Sequence, residues 1–403
     1  MALLKDRDFR LLWVGQTISE IGSRVSREGI PLTAALLLGA TPMQMGLLAG
    51  VSGMATLFAG TAAGVIVDRT KRRPLMIAAD LGRAIVLILI PLAAWQGWLS
   101  IHVLMAVATI HGLLTVFFDV AYQTWIPSFV AKENLLEANS KLMAAMSTAE
   151  VIGPGLTGVL VQLLTAPIAI LVDSISFLIS ALAVASIRKK EEPIATVDEP
   201  FSWREAVAGF STIASHPILR PLALRAASIS FSGGFFAGLY VLYAVSILGL
   251  KPIQLGIVVA AGGVSSLCGA LLAEKLSTRI PVGKLLIGTT FWNGLVCLLI
   301  PMAVLPFPGG FWCLLLAQLL GDATYSVYAI HETTIRQQMA PTGSLGRVNA
   351  AMQLLFKGIW PIGAIIGGLL AGVLSIPQVM FLSALGIMSS ALFLLFSRVR
   401  ALR

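Results

Sequence analysis

An internal repeat constrains this chain more than any other feature of its sequence. Nine distinctive residues of the first half recur 210 positions later. The pairs are Pro42 and Pro252, Gln44 and Gln254, Gly46 and Gly256, Gly53 and Gly263, Arg69 and Arg279, Asn139 and Asn349, Gly153 and Gly363, Gly158 and Gly368, and Ser180 and Ser390. A constant offset indicates that half of the chain is one structural unit, used twice in the same orientation.

The amino-acid composition excludes an ordinary soluble protein. Of the 403 residues, 57% are hydrophobic and only 12% are charged, whereas a soluble domain has about 25% charged residues. The chain is therefore predicted to be a membrane protein that crosses the bilayer several times. Cys268, Cys297 and Cys313 all lie in apolar stretches, which favours free buried thiols over a disulfide framework.

Apolar segments long enough to span a bilayer occur six times in each half of the chain. They lie at residues 9–38, 42–67, 74–95, 103–126, 136–163, 167–188, 219–248, 252–275, 284–305, 311–335, 346–373 and 377–397. The predicted fold is an all-α membrane protein, with twelve transmembrane helices in two parallel six-helix repeats around a central cavity. A parallel duplication of this kind is typical of transporters that move one half against the other.

Basic residues are concentrated at the two termini and in alternate loops, so the net charge of +9 does not indicate a nucleic-acid partner. They are Lys5, Arg7, Arg10, Arg69, Lys71, Arg72, Arg73, Arg188, Lys189, Lys190, Arg204, Lys275, Arg279, Lys284, Arg398, Arg400 and Arg403. The opposite loops have only Lys251. Because positive loops stay on the cytoplasmic side, both termini are predicted to be cytoplasmic, in the inner or plasma membrane.

The longest polar stretch separates the two repeats. We expect an N-terminal bundle at residues 1–188, a cytoplasmic linker at 189–218 and a C-terminal bundle at 219–403. Ser202 and Glu205 have the spacing of a capping box, and the apolar residues that follow share one helical face. This pattern favours a short helix in the cytoplasmic interface, although a plain connector is the alternative.

The loop between the second and third spans resembles a signature of the major facilitator superfamily. Its residues are Gly64, Asp68, Arg69, Lys71, Arg72 and Arg73. A small residue permits close helix packing, an acidic residue can face a helix N-terminus, and a basic cluster anchors the loop to the cytoplasmic leaflet. In the second half only Arg279 persists, since Asp68 corresponds to Thr278 and Gly64 to Glu274.

The fifth span has a second motif, with Gly153, Pro154 and Gly158, that resembles the antiporter motif of the same superfamily. Glycine and proline weaken a helix locally and allow tight packing, so a bend between alternating states is one interpretation and ordinary packing is the other. Flanking residues 8–16, 125–140 and 216–220 resemble the drug:proton antiporter branch that includes macrolide and siderophore exporters. That resemblance implies proton-driven export.

One departure from the superfamily limits what the resemblance implies about coupling. Many of its proton antiporters have an arginine in the fourth span near a Gln-Gly pair, but the comparable stretch here, residues 110–113, has none. A coupling scheme based on that arginine is therefore not transferred to this chain.

The first span has an unusual polar stripe for a membrane helix. Its members recur every three or four residues and are Gln16, Glu20, Ser23, Arg24, Arg27 and Glu28. Glu20 lies ~16 Å along the helix from Phe9, near the middle of the bilayer. Helical spacing predicts ion pairs from Arg24 to Glu20 and to Glu28. The stripe either lines the transport pathway, as the first, fourth, seventh and tenth spans do in the superfamily, or is only a neutralised stripe facing a wet cavity.

Other ionisable or polar residues in these cavity-lining spans are further candidates, because such groups inside a membrane are commonly functional. They are Asp119 and Gln123 in the fourth span, Arg225 in the seventh, and Asp322, His331 and Glu332 in the tenth. Glu20, Asp119 and Asp322 are the candidate carriers of a coupling proton, since burial can raise the pKa of a carboxylate towards neutrality.

Glu150 and Lys357 each precede a proline by four residues in the fifth and eleventh spans. They either form a pair across the cleft or pair within their own halves. Asp173, Asp80 and Arg83 are predicted to be structural, with Asp80 and Arg83 in the cytoplasmic charge cluster around Asp68.

No enzyme chemistry is apparent in the sequence. There is no phosphate-binding Gly-x-x-x-x-Gly-Lys-Ser/Thr loop, and the four histidines lack metal-ligand spacing, so no cofactor or metal is expected. The sequence predicts a monomeric secondary transporter that exports a small amphiphilic organic molecule in exchange for protons. An importer of a small organic ion and a non-transporting membrane sensor or assembly protein are the alternatives.

Overall fold

The protein is helical throughout the part of the chain that the structure describes. The computed structural model describes residues 3–189, 203–306, 309–341 and 344–402, and within them it has no β-strand. The α-helices of these residues are α1 (Arg7–Leu36), α2 (Pro42–Arg69), α3 (Arg72–Trp95), α4 (Ile101–Phe129), α5 (Leu135–Leu163), α6 (Ala166–Ala185), α7 (Trp203–Ser215), α8 (Leu219–Leu242), α9 (Pro252–Ser277), α10 (Val282–Cys297), α11 (Leu299–Met302), α12 (Gly310–Met339), α13 (Leu345–Leu370), α14 (Ile376–Ser389) and α15 (Ala391–Leu395).

Eleven helical segments within the described residues are long and apolar enough to cross a membrane. Short helices extend three of these segments: a π-helical turn continues α8 to Ile247, α11 continues α10, and α15 continues α14. The helix α1 does not belong to this set because its polar stripe makes it too charged, although its 30 residues are long enough. The all-α membrane fold is confirmed, whereas twelve spans in two repeats stay a prediction.

The helices begin at positions that reflect the 210-residue spacing of the sequence. Pro42 opens α2 and Pro252 opens α9, each as the first helical residue. The backbone N–H of Thr41 donates to Oε1 of Gln44 at 2.9 Å, and that of Lys251 donates to Gln254 at 2.9 Å. The repeated proline and glutamine therefore have a local role, because both stabilise a helix N-terminus.

The chain divides into two compact units. The first unit comprises Met1–Gly39 and Val51–Phe201, and the second comprises Ala40–Gly50 and Ser202–Arg403. In the first unit, α6 packs on α1 and α3, α3 packs on α4, and α1 packs on α5. In the second unit, α14 packs on α8 and α10, α10 packs on α12, and α8 packs on α13. The predicted domain limits at residues 188 and 219 stay a prediction.

Three glycines at seven-residue spacing let α1 approach α6 closely in the first unit. A Cβ atom on Gly15 would lie 2.8 Å from Cβ of Ala183, and one on Gly29 would lie 2.9 Å from Cγ1 of Ile170. Between them, a Cβ on Gly22 would lie 2.7 Å from Oδ1 of Asp173. Seven residues are about two helical turns, so the glycines form one stripe. Small residues at this spacing are how membrane helices approach each other.

The first unit is tied together where α1 begins and α6 ends. Oδ2 of Asp8 accepts hydrogen bonds from the backbone N–H groups of Arg188 and Lys189, at 3.1 and 3.0 Å. The ammonium group of Lys189 lies 3.3 Å from Asp6, which caps the N-terminus of α1. Burial alone would raise the pKa of Asp6, but hydrogen bonds from the Asp8 N–H and from Lys189 lower the pKa below its usual value.

The short helix predicted in the linker is present as α7. Its buried residue Ile213 packs with Leu219 and Val348, so part of its apolar face lies against α8 and α13 of the same unit. The predicted capping box falls on Ser202 and the side chain of Glu205, which lie outside the described residues.

Substituting Gly22 tests the close approach of α1 and α6. Gly22→Ala should lower the thermal unfolding temperature of the detergent-solubilised protein, because the new Cβ would overlap Ser176 and Asp173. Overpacking of this kind costs about 1–3 kcal/mol. Gly288→Ala in α10 is the matched control, since nothing lies within 4 Å of its added Cβ. Equal melting temperatures for the two variants would contradict the packing described here.

Candidate functional site

A cavity in the second unit brings together four charged side chains. Its volume is about 180 Å³, and it lies among α8, α12 and α13. The charged residues of its wall are Arg225, Glu332, Arg336 and Lys357. Tyr325, Tyr328 and Gln353 add polar groups, and Ala226, Ala329, Met352 and Phe356 complete the wall with apolar surface. The cavity is therefore amphipathic.

Arg225 is the most buried charge of this cavity, with 4% of its surface exposed. Its guanidinium carbon lies 3.4 Å from the centroid of the Tyr328 ring, so the cation stacks on the aromatic face. Its Nε atom has no hydrogen-bond partner among the described residues. Close packing of α8 on α13 holds Arg225 in place: Ser230 donates a hydrogen bond to the carbonyl oxygen of Phe356.

The wall formed by α12 has an ion pair, and that formed by α13 has a further cation. Glu332 and Arg336 are one helical turn apart, with 3.7 Å between Oε1 and Nη1. Lys357 is exposed, and no carboxylate of the described residues lies within ion-pair distance of its ammonium group. Three cations and one carboxylate line the cavity, so its wall has an excess of positive charge.

The structure brings three of the predicted site residues together here: Arg225, Glu332 and Lys357. Sequence analysis missed the two tyrosines, Arg336 and Gln353. Helical spacing was the available signal for the last two, because Arg336 follows Glu332 by four residues and Gln353 precedes Lys357 by four. Asp322 is not part of the cavity wall. Its carboxylate lies against Gly262 of α9.

In the first unit, Arg24 pairs with a partner that local spacing did not predict. Its Nη1 atom lies 3.2 Å from Oε1 of Glu150. Within the described residues, neither Glu20 nor Glu28 forms the expected ion pair with Arg24. The reason is tertiary packing. A Cβ on Gly153 would lie 2.6 Å from Cγ of Arg24, so the glycine leaves room for the arginine stem to cross α5 towards Glu150.

This pair also bears on Glu150, for which sequence analysis left two partners open. Glu150 pairs within its own unit, and Lys357 lines the cavity of the other. Pro154 and Gly158 of the same motif are buried in α5, which continues as one helix from Leu135 to Leu163.

The remaining predicted pathway residues of the first unit have different environments. Gln16 is buried, and its Nε2 atom donates to Oγ of Ser180 at 3.1 Å, so it links α1 to α6. Glu20 is half-buried, and Arg27 is exposed on the same helix. On α4, Asp119 and Gln123 are both exposed.

The predicted place of Asp80 and Arg83 in a cytoplasmic cluster around Asp68 stays a prediction, because the side chain of Asp68 lies outside the described residues. Both are buried, with 0% and 3% of their side chains exposed, and they form an ion pair with each other. The guanidinium carbon of Arg83 lies 4.3 Å from the centroid of the Phe118 ring and 4.0 Å from that of Phe177. Burial is tolerated because the charge is paired and stacked between aromatic faces.

Arg73 of the loop motif contacts the end of a helix. Its Nε and Nη2 atoms donate to the carbonyl oxygens of Val184 and Ala185, at 3.2 and 2.6 Å. These carbonyls end α6, where a cation is favourable for the helix dipole. Arg69 and Arg72 end α2 and begin α3. The side chains of Gly64 and Asp68 lie outside the described residues, so the role predicted for Asp68 stays a prediction.

No group of three or more metal-ligating side chains is present in the described ranges.

Comparisons with known proteins assign most of the chain to one family. A family model described as the Major Facilitator Superfamily matches residues 12–362. Macrolide efflux protein A of Streptococcus pyogenes is 24% identical, over 90% of this chain and 89% of that protein. The multi-drug resistance efflux pump PmrA of Streptococcus pneumoniae is 25% identical, over 96% of this chain and 94% of that protein. Among solved structures, a bacterial homologue of the iron transporter ferroportin has a TM-score of 0.79 at 16% identity, covering 96% of this chain and 98% of that one.

Variants at the contact between α1 and α5 separate the ion pair from the glycine. Glu150→Gln should lower the thermal unfolding temperature little, because 59% of the Glu150 side chain is exposed and exposed pairs contribute less than about 1 kcal/mol. Gly153→Ala should lower it more, since its Cβ would overlap the Arg24 stem.

Gly155→Ala is the matched control in the same helix, because no atom lies within 4 Å of its added Cβ. If Glu150→Gln lowered the unfolding temperature as much as Gly153→Ala, the ion pair would contribute as much as the glycine to the contact between α1 and α5, contrary to this prediction.

Proposed function

The chain belongs to the Major Facilitator Superfamily of membrane transporters, and we propose that it exports a small amphiphilic organic molecule by proton antiport. The substrate would be a drug, a siderophore or a secondary metabolite. The observation that carries this proposal is similarity over nine-tenths of the chain to macrolide efflux protein A and to a multidrug efflux pump. The two matches cover nearly the full length of those proteins as well, so the proposal concerns the whole transport unit.

For the membrane arrangement, we propose twelve spans: α1 comes first in the chain and adds to the eleven apolar segments described above. The proposed protein is a monomer with both termini in the cytoplasm. The length of α1 supports its inclusion, because 30 residues of helix extend ~45 Å. Two polar side chains of its stripe have partners inside the protein: Arg24 pairs with Glu150, and Gln16 is hydrogen-bonded to Ser180. The proposed location is the inner or plasma membrane.

We propose that substrate and protons pass polar groups on α1, α4, α8 and α12. Glu20 is our candidate for the coupling carboxylate. Because Arg24 pairs with Glu150, Glu20 has no cation within ion-pair distance among the described residues. An ionisable residue inside a membrane is a candidate functional group, and within the described ranges Glu20 has no ion-pair partner that would give it a purely structural role. Asp119 and Asp322 are the alternative carriers.

The loop and antiporter motifs are proposed to control the change of state rather than to bind substrate. Arg73 supports this assignment, since it holds the start of α3 on the end of α6. Gly153 also supports it, because it sets the distance between α1 and α5. Asp68, Arg69 and Arg72 would act with them at the cytoplasmic end.

Proton-driven transport in liposomes tests the function and its alternatives together. With purified protein, an imposed pH gradient should drive accumulation of at least one amphiphilic probe against its concentration gradient, among radiolabelled erythromycin, ethidium and naphthalene-1-sulfonate. An importer would accumulate substrate with the opposite dependence on the direction of the gradient. A sensor or assembly protein would produce neither accumulation nor exchange of any probe, and that result would overturn the proposal.

Glu20→Gln tests the coupling assignment in the same liposomes. The variant mimics the protonated carboxylate permanently, so it should abolish proton-driven accumulation and preserve binding and downhill exchange. Glu274→Gln removes the same charge from an exposed position of α9, outside the proposed pathway, and serves as the control for folding. If Glu20→Gln keeps the wild-type dependence on the pH gradient, the coupling site moves to Asp119 or Asp322.

Cysteine labelling tests the proposed topology in a background without Cys268, Cys297 and Cys313. Cysteines at Gln96 and Val373, both exposed between helices, should react with an impermeant thiol reagent on intact cells. A cysteine at Thr70 should react only after the cells are opened. If the cysteine at position 70 reacted from outside intact cells, the proposed orientation would be wrong.

A further inference from the structure

We propose that the cavity among α8, α12 and α13 binds the anionic group of the substrate, which makes the substrate class an amphiphilic organic anion. The inference rests on the proposed transport function. It narrows that function, because the family and the efflux relatives do not specify the charge of what this chain carries.

The charge of the wall is the first argument. Arg225, Arg336 and Lys357 contribute three positive charges, and Glu332 contributes one negative charge. Glu332 and Arg336 pair at 3.7 Å, which leaves the charges of Arg225 and Lys357 without a carboxylate of the cavity wall opposite them. Arg225 is only 4% exposed, and a cation removed from water is costly until an anion compensates it, whereas the exposed Lys357 adds to the positive charge of the wall. A ligand with one or two negative charges would supply that compensation.

The orientation of Arg225 is the second argument. Its guanidinium carbon lies over the Tyr328 ring, 3.4 Å from the ring centroid, so this contact restricts where the guanidinium group can move. Nε has no hydrogen-bond partner in the described part of the chain, and the residue is only 4% exposed. A buried donor without a partner destabilises the protein until a ligand satisfies it. A carboxylate, sulfonate or phosphate group can satisfy such an edge with two parallel hydrogen bonds.

The rest of the wall indicates what the anion is attached to. Met352, Phe356 and Ala329 present apolar surface beside the cations, and Tyr325 presents a ring that is 39% exposed. An inorganic ion would leave this surface in contact with water. An apolar or aromatic body joined to an oxyanion would cover it, which favours an amphiphilic anion.

Binding of three isosteric probes to the full chain in nanodiscs tests the proposal. The probes are naphthalene-1-sulfonate, the neutral naphthalene-1-sulfonamide and the cationic 1-naphthylmethylammonium ion, measured by isothermal titration calorimetry. Wild-type protein should bind the sulfonate at least about tenfold more tightly than the other two, a difference of ~1.4 kcal/mol. Equal affinities for the sulfonate and the sulfonamide would overturn the proposal.

Variants then assign the preference to this cavity. Lys357→Gln should weaken sulfonate binding about tenfold and leave sulfonamide binding unchanged, and Lys357→Glu should shift the preference towards the cation. Lys357 is exposed, so both variants are expected to fold. Arg225→Gln should act in the same direction, and Arg225→Lys should restore part of the affinity.

Arg279→Gln and Lys284→Gln remove the same charges from exposed positions outside the cavity and should change nothing. If either control variant lost as much affinity for the sulfonate as Lys357→Gln, the preference would come from the overall positive charge of the protein, and the assignment to this cavity would be wrong.

Transport of the same probes separates this proposal from the function on which it depends. If a pH gradient drives erythromycin or ethidium but the sulfonate does not bind, the exporter assignment stands and the anion site is wrong. If the sulfonate binds through Lys357 and Arg225 but no probe is transported, the site stands and the exporter assignment is wrong.

Discussion

The cost of placing a charge where water is scarce governs the arrangement of this protein's polar side chains. Asp80 and Arg83 are almost completely buried, and the guanidinium group lies between the rings of Phe118 and Phe177. An ionised group in such a place destabilises the fold unless a counter-charge or an aromatic face compensates it. The helices α3, α4 and α6 must keep their register to maintain these contacts. The pair thus joins three helices of the first unit.

Close approach of helices is the second requirement, and small residues satisfy it. In a membrane, helices gain little from burying apolar surface, so van der Waals contact between backbones matters more. In the first unit, the stripe of Gly15, Gly22 and Gly29 provides this contact between α1 and α6. In the second unit, Gly363 and Gly367 of α13 face α8, where added Cβ atoms would meet Phe231, Gly234 and Phe235.

The two units use their charges differently. In the first unit, the described buried or half-buried cations have partners: Arg83 pairs with Asp80, and Arg24 with Glu150. In the second unit, the cavity wall has more cations than carboxylates. A transporter needs both kinds of site. Paired charges hold a bundle together, whereas a charge left for a ligand gives binding energy that depends on what is bound. The two units therefore differ in how their described charges are compensated.

The sequence by itself determined the helices, their order and the membrane class, because these depend on local properties. Apolar length and helix-start residues such as Pro42 and Gln44 act within a few residues of chain. Sequence analysis also selected Arg225, Glu332 and Lys357 as site candidates, since ionisable residues are rare in apolar segments. Only the tertiary structure decided which charge meets which. Arg24 pairs with Glu150 from another helix instead of its neighbours in α1, and Asp80 and Arg83 form a buried pair with each other. The physical reason is that Coulomb energy depends on distance and burial in space. Both are set by glycines and helices far apart in the sequence.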